Sequence, residues 1–380
     1  MPVKKNKVPL TAGKYFMQGD EACARGAIAA GCSFFAGYPI TPASEIMETI
    51  VDRFETLDRT FVQMEDELGA MAAVIGASWT SNKSMTATSG PGMSLKMENI
   101  GLGIMTETPC VIVDVQRTGP STGQATRTAQ GDLMQARWGT HGEHTMIALS
   151  PWGVEEIYYE TIRAFNLAEK YRTPVILLLE EATGHLRELV NVKEEVEVFN
   201  RKRGNDTPPF GGFEPLDEVP DMPAFGDGER LLVTGSTHDP NGYRETQDRE
   251  VQEKLVEHLR QKIENNIDDI CEYEEYYTED CDKLVISFGF AARAGLNAVK
   301  KAREKNIKAG MLRLKTVWPM PKDKIIELGK DVEKVIVPEM NLGQLRGEVE
   351  RYIKNADVVG VNRADGEVIE PHEILDKIIN

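Results

Sequence analysis

Cysteine is scarce and sits in no recognisable pattern. The five present, Cys23, Cys32, Cys110, Cys271 and Cys281, cannot all pair, and no two stand as C-x-x-C or in an iron–sulfur ligand run. That excludes a disulfide frame and a cluster site within this chain, and points to reduced, intracellular thiols. Long apolar runs are also missing. The basic start, Met1 to Lys7, leads into no apolar stretch before Gln18-Gly-Asp-Glu, and nowhere do 18 apolar residues follow one another. No membrane contact is expected, and the chain is placed in the cytoplasm. Positive charge is short: 44 Lys and Arg against 61 Asp and Glu leave a net charge of −17, which repels nucleic-acid phosphates and anionic headgroups. Neither the phosphate loop G-x-x-x-x-G-K-[ST] nor the dinucleotide fingerprint G-x-G-x-x-G occurs. No 20- to 50-residue period recurs either, so a solenoid or propeller is out.

What remains is ordinary globular composition, 41% hydrophobic and 28% charged over 380 residues, enough for about two or three domains. Apolar runs bounded by Gly, Pro and Ser alternate with helix-period segments to about residue 181: Ser33-Phe-Phe-Ala-Gly, Met85-Thr-Ala-Thr, Cys110-Val-Ile-Val-Asp-Val, Met146-Ile-Ala-Leu and Val175-Ile-Leu-Leu-Leu. This is the pattern of βαβ units on a parallel sheet. Val154, Ile157, Tyr158, Thr161, Ile162, Phe165 and Ala168 form one apolar helical stripe able to pack on that sheet. Residues 1–200 are predicted to form the first α/β domain. Residues 201–282 read as an irregular linker or insert, rich in Pro and Gly to 228, then charged and helix-compatible, ending in a solvated acidic, tyrosine-bearing stretch over 268–282. Residues 283–380 restart the strand–helix alternation as a second α/β domain.

Five segments could carry chemistry. Gly37-Tyr-Pro-Ile-Thr-Pro leaves the first strand, where open α/β sheets bind ligands; Thr41 is either an N-cap with Pro42 at N1, or a ligand contact, or both. Ser89-Gly-Pro-Gly leaves the next strand as a tight βα turn or a close backbone approach to a ligand. Glu65-Asp-Glu67 opens an apolar helix. Carboxylates there complement the helix dipole, and one at the mouth of a buried helix is also desolvated, which favours its protonated form. After the third long strand, the polar loop around Arg117 and Arg127 suits an anionic, carboxylate-bearing ligand. His141 and His144 flank Glu143, but this H-x-x-H matches no common zinc pattern and fits local hydrogen bonding, so no metal ligand is expected here. Gly226-Asp-Gly228 follows no apolar strand and reads as a turn rather than the start of a diphosphate-and-magnesium signature.

Taken in order, Gly37-Tyr-Pro-Ile-Thr-Pro, Glu65-Asp-Glu67, Ser89-Gly-Pro-Gly92, Gln116-Arg-Thr-Gly-Pro-Ser-Thr-Gly123 and Glu339-Met-Asn-Leu-Gly-Gln-Leu345 resemble the α subunit of the 2-oxoacid:ferredoxin oxidoreductases, nearest the 2-oxoglutarate branch. The resemblance implies a thiamine-diphosphate pyrimidine-binding domain, a parallel sheet with helices on both faces, followed by a C-terminal transketolase-like α/β domain. It implies CoA-dependent oxidative decarboxylation of 2-oxoglutarate to succinyl-CoA. Branched-chain 2-oxo acids or pyruvate are the alternative substrates, and a non-catalytic scaffold or sensing subunit is the alternative of another class.

By the same resemblance, Glu67 is the carboxylate that meets the cofactor's aminopyrimidine. Thr41 and Arg117 meet the 2-oxo acid. Pro39, Ile40, Ser89, Gly90, Pro91 and Gly92 lie on the cofactor side. Arg127, Arg137 and His141 are candidates for a second substrate carboxylate, on loop composition. A β subunit is expected to hold the diphosphate and Mg²⁺. Iron–sulfur clusters are expected in the β subunit and in a ferredoxin-like δ subunit, alongside a separate γ chain, with ferredoxin as acceptor.

Overall fold

All nine residues of the strand Cys110–Thr118 are buried, which is what a central parallel strand covered on both faces requires. A computed structural model of the chain describes residues 4–7, 10–204, 206–211 and 214–380. In chain order the elements are β1 (Lys4–Lys7), β2 (Gly13–Gln18), α1 (Gly19–Ala30), β3 (Phe34–Gly37), α2 (Ser44–Leu57), β4 (Thr60–Gln63), α3 (Glu67–Trp79), β5 (Ser84–Thr88), α4 (Gly90–Met105), β6 (Cys110–Thr118), β7 (Gln124–Thr128), α5 (Leu133–Trp138), β8 (Ile147–Leu149), α6 (Val154–Tyr171), β9 (Pro174–Glu180), α7 (Glu181–His185), β10 (Arg187–Val192) and β11 (Glu195–Val198). They continue with α8 (Arg249–Glu264), α9 (Ile267–Ile270), β12 (Tyr273–Tyr276), β13 (Lys283–Phe288), α10 (Gly289–Glu304), β14 (Ala309–Leu314), β15 (Thr316–Trp318), α11 (Lys322–Leu328), β16 (Lys334–Glu339), α12 (Gln344–Tyr352), β17 (Asp357–Asn362) and α13 (Pro371–Ile379).

The first sheet runs β15-β8-β9-β6-β5-β3-β4, with β7 folded back on β6. Its pairs from β8 to β4 are parallel, while β15 and β7 are antiparallel. Side-chain alternation divides its core. Val111, Val113 and Val115 of β6 face α1 and α6, whereas Cys110 and Ile112 face α3 and α4. The expected α6 stripe is buried along its length. Each such fully buried aliphatic or aromatic side chain contributes roughly 1.5–3 kcal/mol.

The second sheet runs β12-β14-β13-β16-β17, parallel except for β12, with α10 and α13 on one face. Its other face shares a core with the first unit. Leu284, Ile286, Phe288, Leu312 and Leu314 join the cluster that holds Ile112, Ile176 and Met97.

Two expectations change. The acidic stretch after residue 268, read as solvated surface, supplies β12, which pairs antiparallel with β14. Its charge is compensated: Glu274 accepts from Arg313 at 2.8 Å, and Glu275 lies 3.3 Å from Lys324. Residues 316–318, inside the expected second domain, are the edge strand of the first sheet. Among its described residues the insert lacks regular elements from 206 to 248, except for a bridge between His238 and Arg244, and Gly226 and Gly228 sit in a turn with φ of 101° and 86°. Yet it is packed: buried Arg172 donates to the carbonyls of Pro209 and Pro220. No helix among the described residues is long and apolar enough to cross a membrane.

Candidate functional site

In chain order β3 is followed by β4 on one side, and β5 then pairs on the other side of β3, so the direction of winding reverses between β3 and β5. Loops leaving the carboxyl ends of strands at such a reversal frame a crevice. Three of the singled-out segments leave there: residues 38–43 after β3, residues 64–67 after β4, and Ser89 to Gly92 after β5.

The triple carboxylate separates into three roles. Asp66 is the N-cap of α3, accepting from the Gly69 amide at 2.7 Å. Glu65 is exposed, and Glu67 turns inward with 6% of its surface accessible. Glu67 lies against the Ser89–Gly92 turn so tightly that a Cβ at Gly92 would sit 2.5 Å from its Oε1 and 2.1 Å from Thr88 Oγ1. Glycine at 92 is therefore a steric requirement. Ser89, the residue before α4, has a buried Oγ with no hydrogen-bond partner.

Beneath Glu67 is a group that sequence reasoning missed. Lys96 is fully buried on α4, its Nζ 3.1 Å from Thr86 Oγ1 and 3.4 Å from the Glu67 carbonyl. Burial drives its ammonium down to about 8, against the pull of the Glu67 and Asp66 carboxylates. The available signal was its place among Met93, Met97, Ile100 and Ile104, the core-facing positions of α4.

Thr41 is not the cap of α2, which begins at Ser44 with Ala43 before it. Instead its carbonyl accepts from Arg117 Nη1 at 2.7 Å, tying the β3 loop to the end of β6. Arg117 is buried and its Nε is unpartnered. Beside it Asp132 and Asp114 face each other. Burial raises both carboxyls, Asp114 the further because Asp132 adds repulsion, while Arg117 holds Asp132 back.

The other expected residues divide between this site and other places. Pro39 and Ile40 are on the β3 loop with Thr41, and Gly90 and Pro91 open α4. Arg127 donates to Glu367 at 2.9 Å across the two units, both side chains half-exposed. Arg137 is held on the His144 carbonyl at 2.8 Å and stacks on Trp138. His141, 85% exposed, lies 3.9 Å from Glu98. Glu98 stands seven residues beyond Pro91 on α4, about 10 Å along the axis from the start of the helix, where the Ser89–Gly92 turn lies. His141 and Glu98 line a separate cleft of about 410 Å³ with Thr140 and Gln252.

The late motif is a joint. Glu339 accepts from the amides of Leu345 and Arg346, and Asn341 from those of Gly343 and Gln344, which builds the start of α12. Met340 and Asn341 grip Gln130, whose Nε2 in turn donates to Glu180 at 2.7 Å. Buried Glu180 is pushed up to about 7 by desolvation, opposed by bonds from Gln130, the Phe290 amide and Thr183.

This architecture is that of a thiamine-diphosphate-binding α/β protein. Residues 25–258 match the family described as pyruvate flavodoxin/ferredoxin oxidoreductase, thiamine diP-binding, and residues 281–374 match pyruvate:ferredoxin oxidoreductase core domain II. The chain belongs to the 2-oxoacid:ferredoxin oxidoreductase family. It is 51% identical to the 2-oxoglutarate synthase subunit KorA of Methanothermobacter marburgensis, over 96% of this chain and 98% of that one. It is 49% identical to the KorA subunit of Methanocaldococcus jannaschii, over 94% and 97% respectively. Among solved structures it superposes with a TM-score of 0.89 and 32% identity on the 2-oxoglutarate:ferredoxin oxidoreductase of Magnetococcus marinus with 2-oxoglutarate, coenzyme A and succinyl-CoA bound. That match covers 96% of this chain but 65% of the solved chain.

Proposed function

We propose that the chain is the α subunit of a heteromeric, cytoplasmic enzyme that converts 2-oxoglutarate, coenzyme A and oxidised ferredoxin into succinyl-CoA, CO₂ and reduced ferredoxin. The observation that carries the reading is the inward-facing Glu67, seated on the Ser89–Gly92 turn at the winding reversal, within a chain that matches the KorA subunits over nearly their whole length.

The residues fit thiamine diphosphate: the unpartnered Ser89 Oγ, the unpartnered Arg117 Nε and the Glu67 carboxylate supply buried polar capacity that the protein itself leaves unused. When bound, the cofactor supplies the carbon nucleophile and electron sink that decarboxylation needs. Glu67 would then meet the pyrimidine edge, with Lys96 beneath its backbone carbonyl. Pro39, Ile40 and Ser89 to Gly92 line the cofactor side. Arg117 and Thr41 receive the 2-oxo acid's carboxylate and carbonyl, and Arg127, on the same polar loop, is the nearer candidate for the second carboxylate than Arg137 or His141. The iron–sulfur clusters belong to partner subunits in this reading, because no cysteine spacing here holds a cluster, and so do Mg²⁺ and the diphosphate, because Gly226-Asp-Gly228 follows no apolar strand.

The test is anaerobic co-expression with the neighbouring subunits, followed by CoA-dependent viologen reduction across a panel of 2-oxo acids. Strongest reduction with 2-oxoglutarate is expected. Activity only with pyruvate or branched substrates overturns the substrate, and silence from an assembled, cluster-loaded complex overturns catalysis itself. Glu67→Gln is expected to leave assembly intact and to lower kcat about 10²- to 10⁴-fold; near-normal turnover removes Glu67 from the role.

A further inference from the structure

Four residues beyond Thr41, three helices meet at a second polar cluster. Asp20 lies in the first turn of α1, Glu45 in the first turn of α2, and His185 at the end of α7. Asp20 is completely buried, and neither carboxylate oxygen has a hydrogen-bond partner. It is wedged against a glycine, where a Cβ on Gly184 would lie 2.7 Å from Oδ1. His185 Nε2 stands 4.0 Å from Asp20 Oδ2 and 3.5 Å from Glu45 Oε1, and it too is buried without a hydrogen bond. Its Nδ1 is already spent on Glu181 Oε1 at 3.2 Å.

Two carboxylates and an imidazole nitrogen thus converge on one point, their ligand atoms all within 4.8 Å of one another. A proton on Nε2 could face Glu45 at 3.5 Å but leaves Asp20, 4.0 Å away, without a hydrogen bond. A buried carboxylate with no partner either takes up a proton or calls for a cation beside it, and a metal ion would answer both carboxylates at once.

We propose that Asp20, Glu45 and His185 form a divalent metal site for a first-row ion such as Zn²⁺ or Mn²⁺. Mixed imidazole and carboxylate donors suit those ions, and bond lengths of about 2.0–2.2 Å bring ligand atoms to roughly 3.3 Å apart, which asks Asp20 and His185 to close by less than about 1 Å. Glu181 is the outer carboxylate that fixes the ring and leaves Nε2 as the donor, an arrangement common behind metal-bound histidines. Glu45 and His185 are 40% and 30% exposed, which sets the cluster near the surface although Nε2 itself is buried. Occupied, the site staples the start of α2, and with it the loop that carries Thr41, to α1 and α7. The ligands are spread over residues 20, 45 and 185, so no spacing motif marks them in the sequence.

The experiment is equilibrium dialysis of the chelator-stripped full chain against Zn²⁺ alone and against Mn²⁺ alone, read with thermal melts of the same samples. One saturable equivalent per chain and a metal-dependent rise in Tm are expected for at least one ion. Glu45→Gln and His185→Gln should each abolish the saturable equivalent, and Glu181→Gln should weaken it by about 10- to 100-fold. Glu45 is 40% exposed, so its variant does not endanger folding. No saturable binding in the parent chain overturns the proposal, as does binding that survives both ligand substitutions, which would mark an adventitious surface site.

Discussion

Glu107→Gln tests how the irregular insert is held. Glu107 is completely buried just past the end of α4; Lys262 Nζ reaches its Oε2 at 2.6 Å, His258 Nε2 lies 3.2 Å away, and the buried guanidinium of Arg172 is close by. Lys262 first, with His258 and Arg172, holds the Glu107 carboxyl well below its ordinary 4.5 in spite of its burial. Replacing the carboxylate leaves Lys262 and Arg172 buried without their counter-charge, and breaking a buried pair from one side costs about 3–5 kcal/mol. With an unfolding entropy of roughly 2.1 cal/mol/K per residue over 380 residues, 5 kcal/mol lowers Tm by about 6 °C. Thermal melts followed by circular dichroism read the shift, and limited proteolysis should show earlier cleavage between 206 and 248. Lys262→Met on the Glu107→Gln background should recover part of the loss. A Tm within about 1 °C of the parent, or strictly additive losses, would refute the reasoning. The sign with pH follows: the depressed carboxyl contributes its stability above about 4.5 and loses it as pH falls through the lower folded value.

Gly92→Ala should abolish turnover while the chain still folds, because a Cβ there meets Glu67 and Thr88; a normal kcat would mean the turn yields freely. Lys96→Met should flatten the rise in stability with pH between about 8 and 10.5. In the parent, relief of the buried ammonium is worth about 3 kcal/mol over that window, readable from urea midpoints at either end, and an unchanged slope would detach the effect from Lys96. Arg127→Ala should lower the preference for 2-oxoglutarate over pyruvate, and Arg137→Ala should not; equal kcat/KM ratios in the parent and both variants would remove Arg127 from substrate choice.

The central strands were legible because burial on both faces leaves apolar runs, as in Cys110 to Val113 and Val175 to Leu179. The edges were not. Thr60–Gln63 is only partly buried, Tyr273–Tyr276 is acidic, and Thr316–Trp318 finds its partner at Ala148 and Leu149, far away along the chain. At the site, Glu67, Arg117 and Thr41 stood in motifs that could be quoted, but their division of labour could not. Nothing in Glu65-Asp-Glu67 says that the middle residue caps the helix while the last one turns inward. Lys96, Asp114 and Asp132 escaped because each becomes unusual only through neighbours that the fold brings in.

The strand Thr316–Trp318 has a consequence for biosynthesis. It closes the edge of the first sheet beside β8, and Trp318 donates through its indole to the Leu133 carbonyl. On the ribosome, that edge stays open until nearly the whole chain has emerged. The β8 backbone groups and the shared apolar face then wait for their cover, a long-range closure of the kind that slows folding and exposes strand edges to other chains. A fragment ending near residue 200 would carry the same bare edge permanently, so the two α/β units mature together.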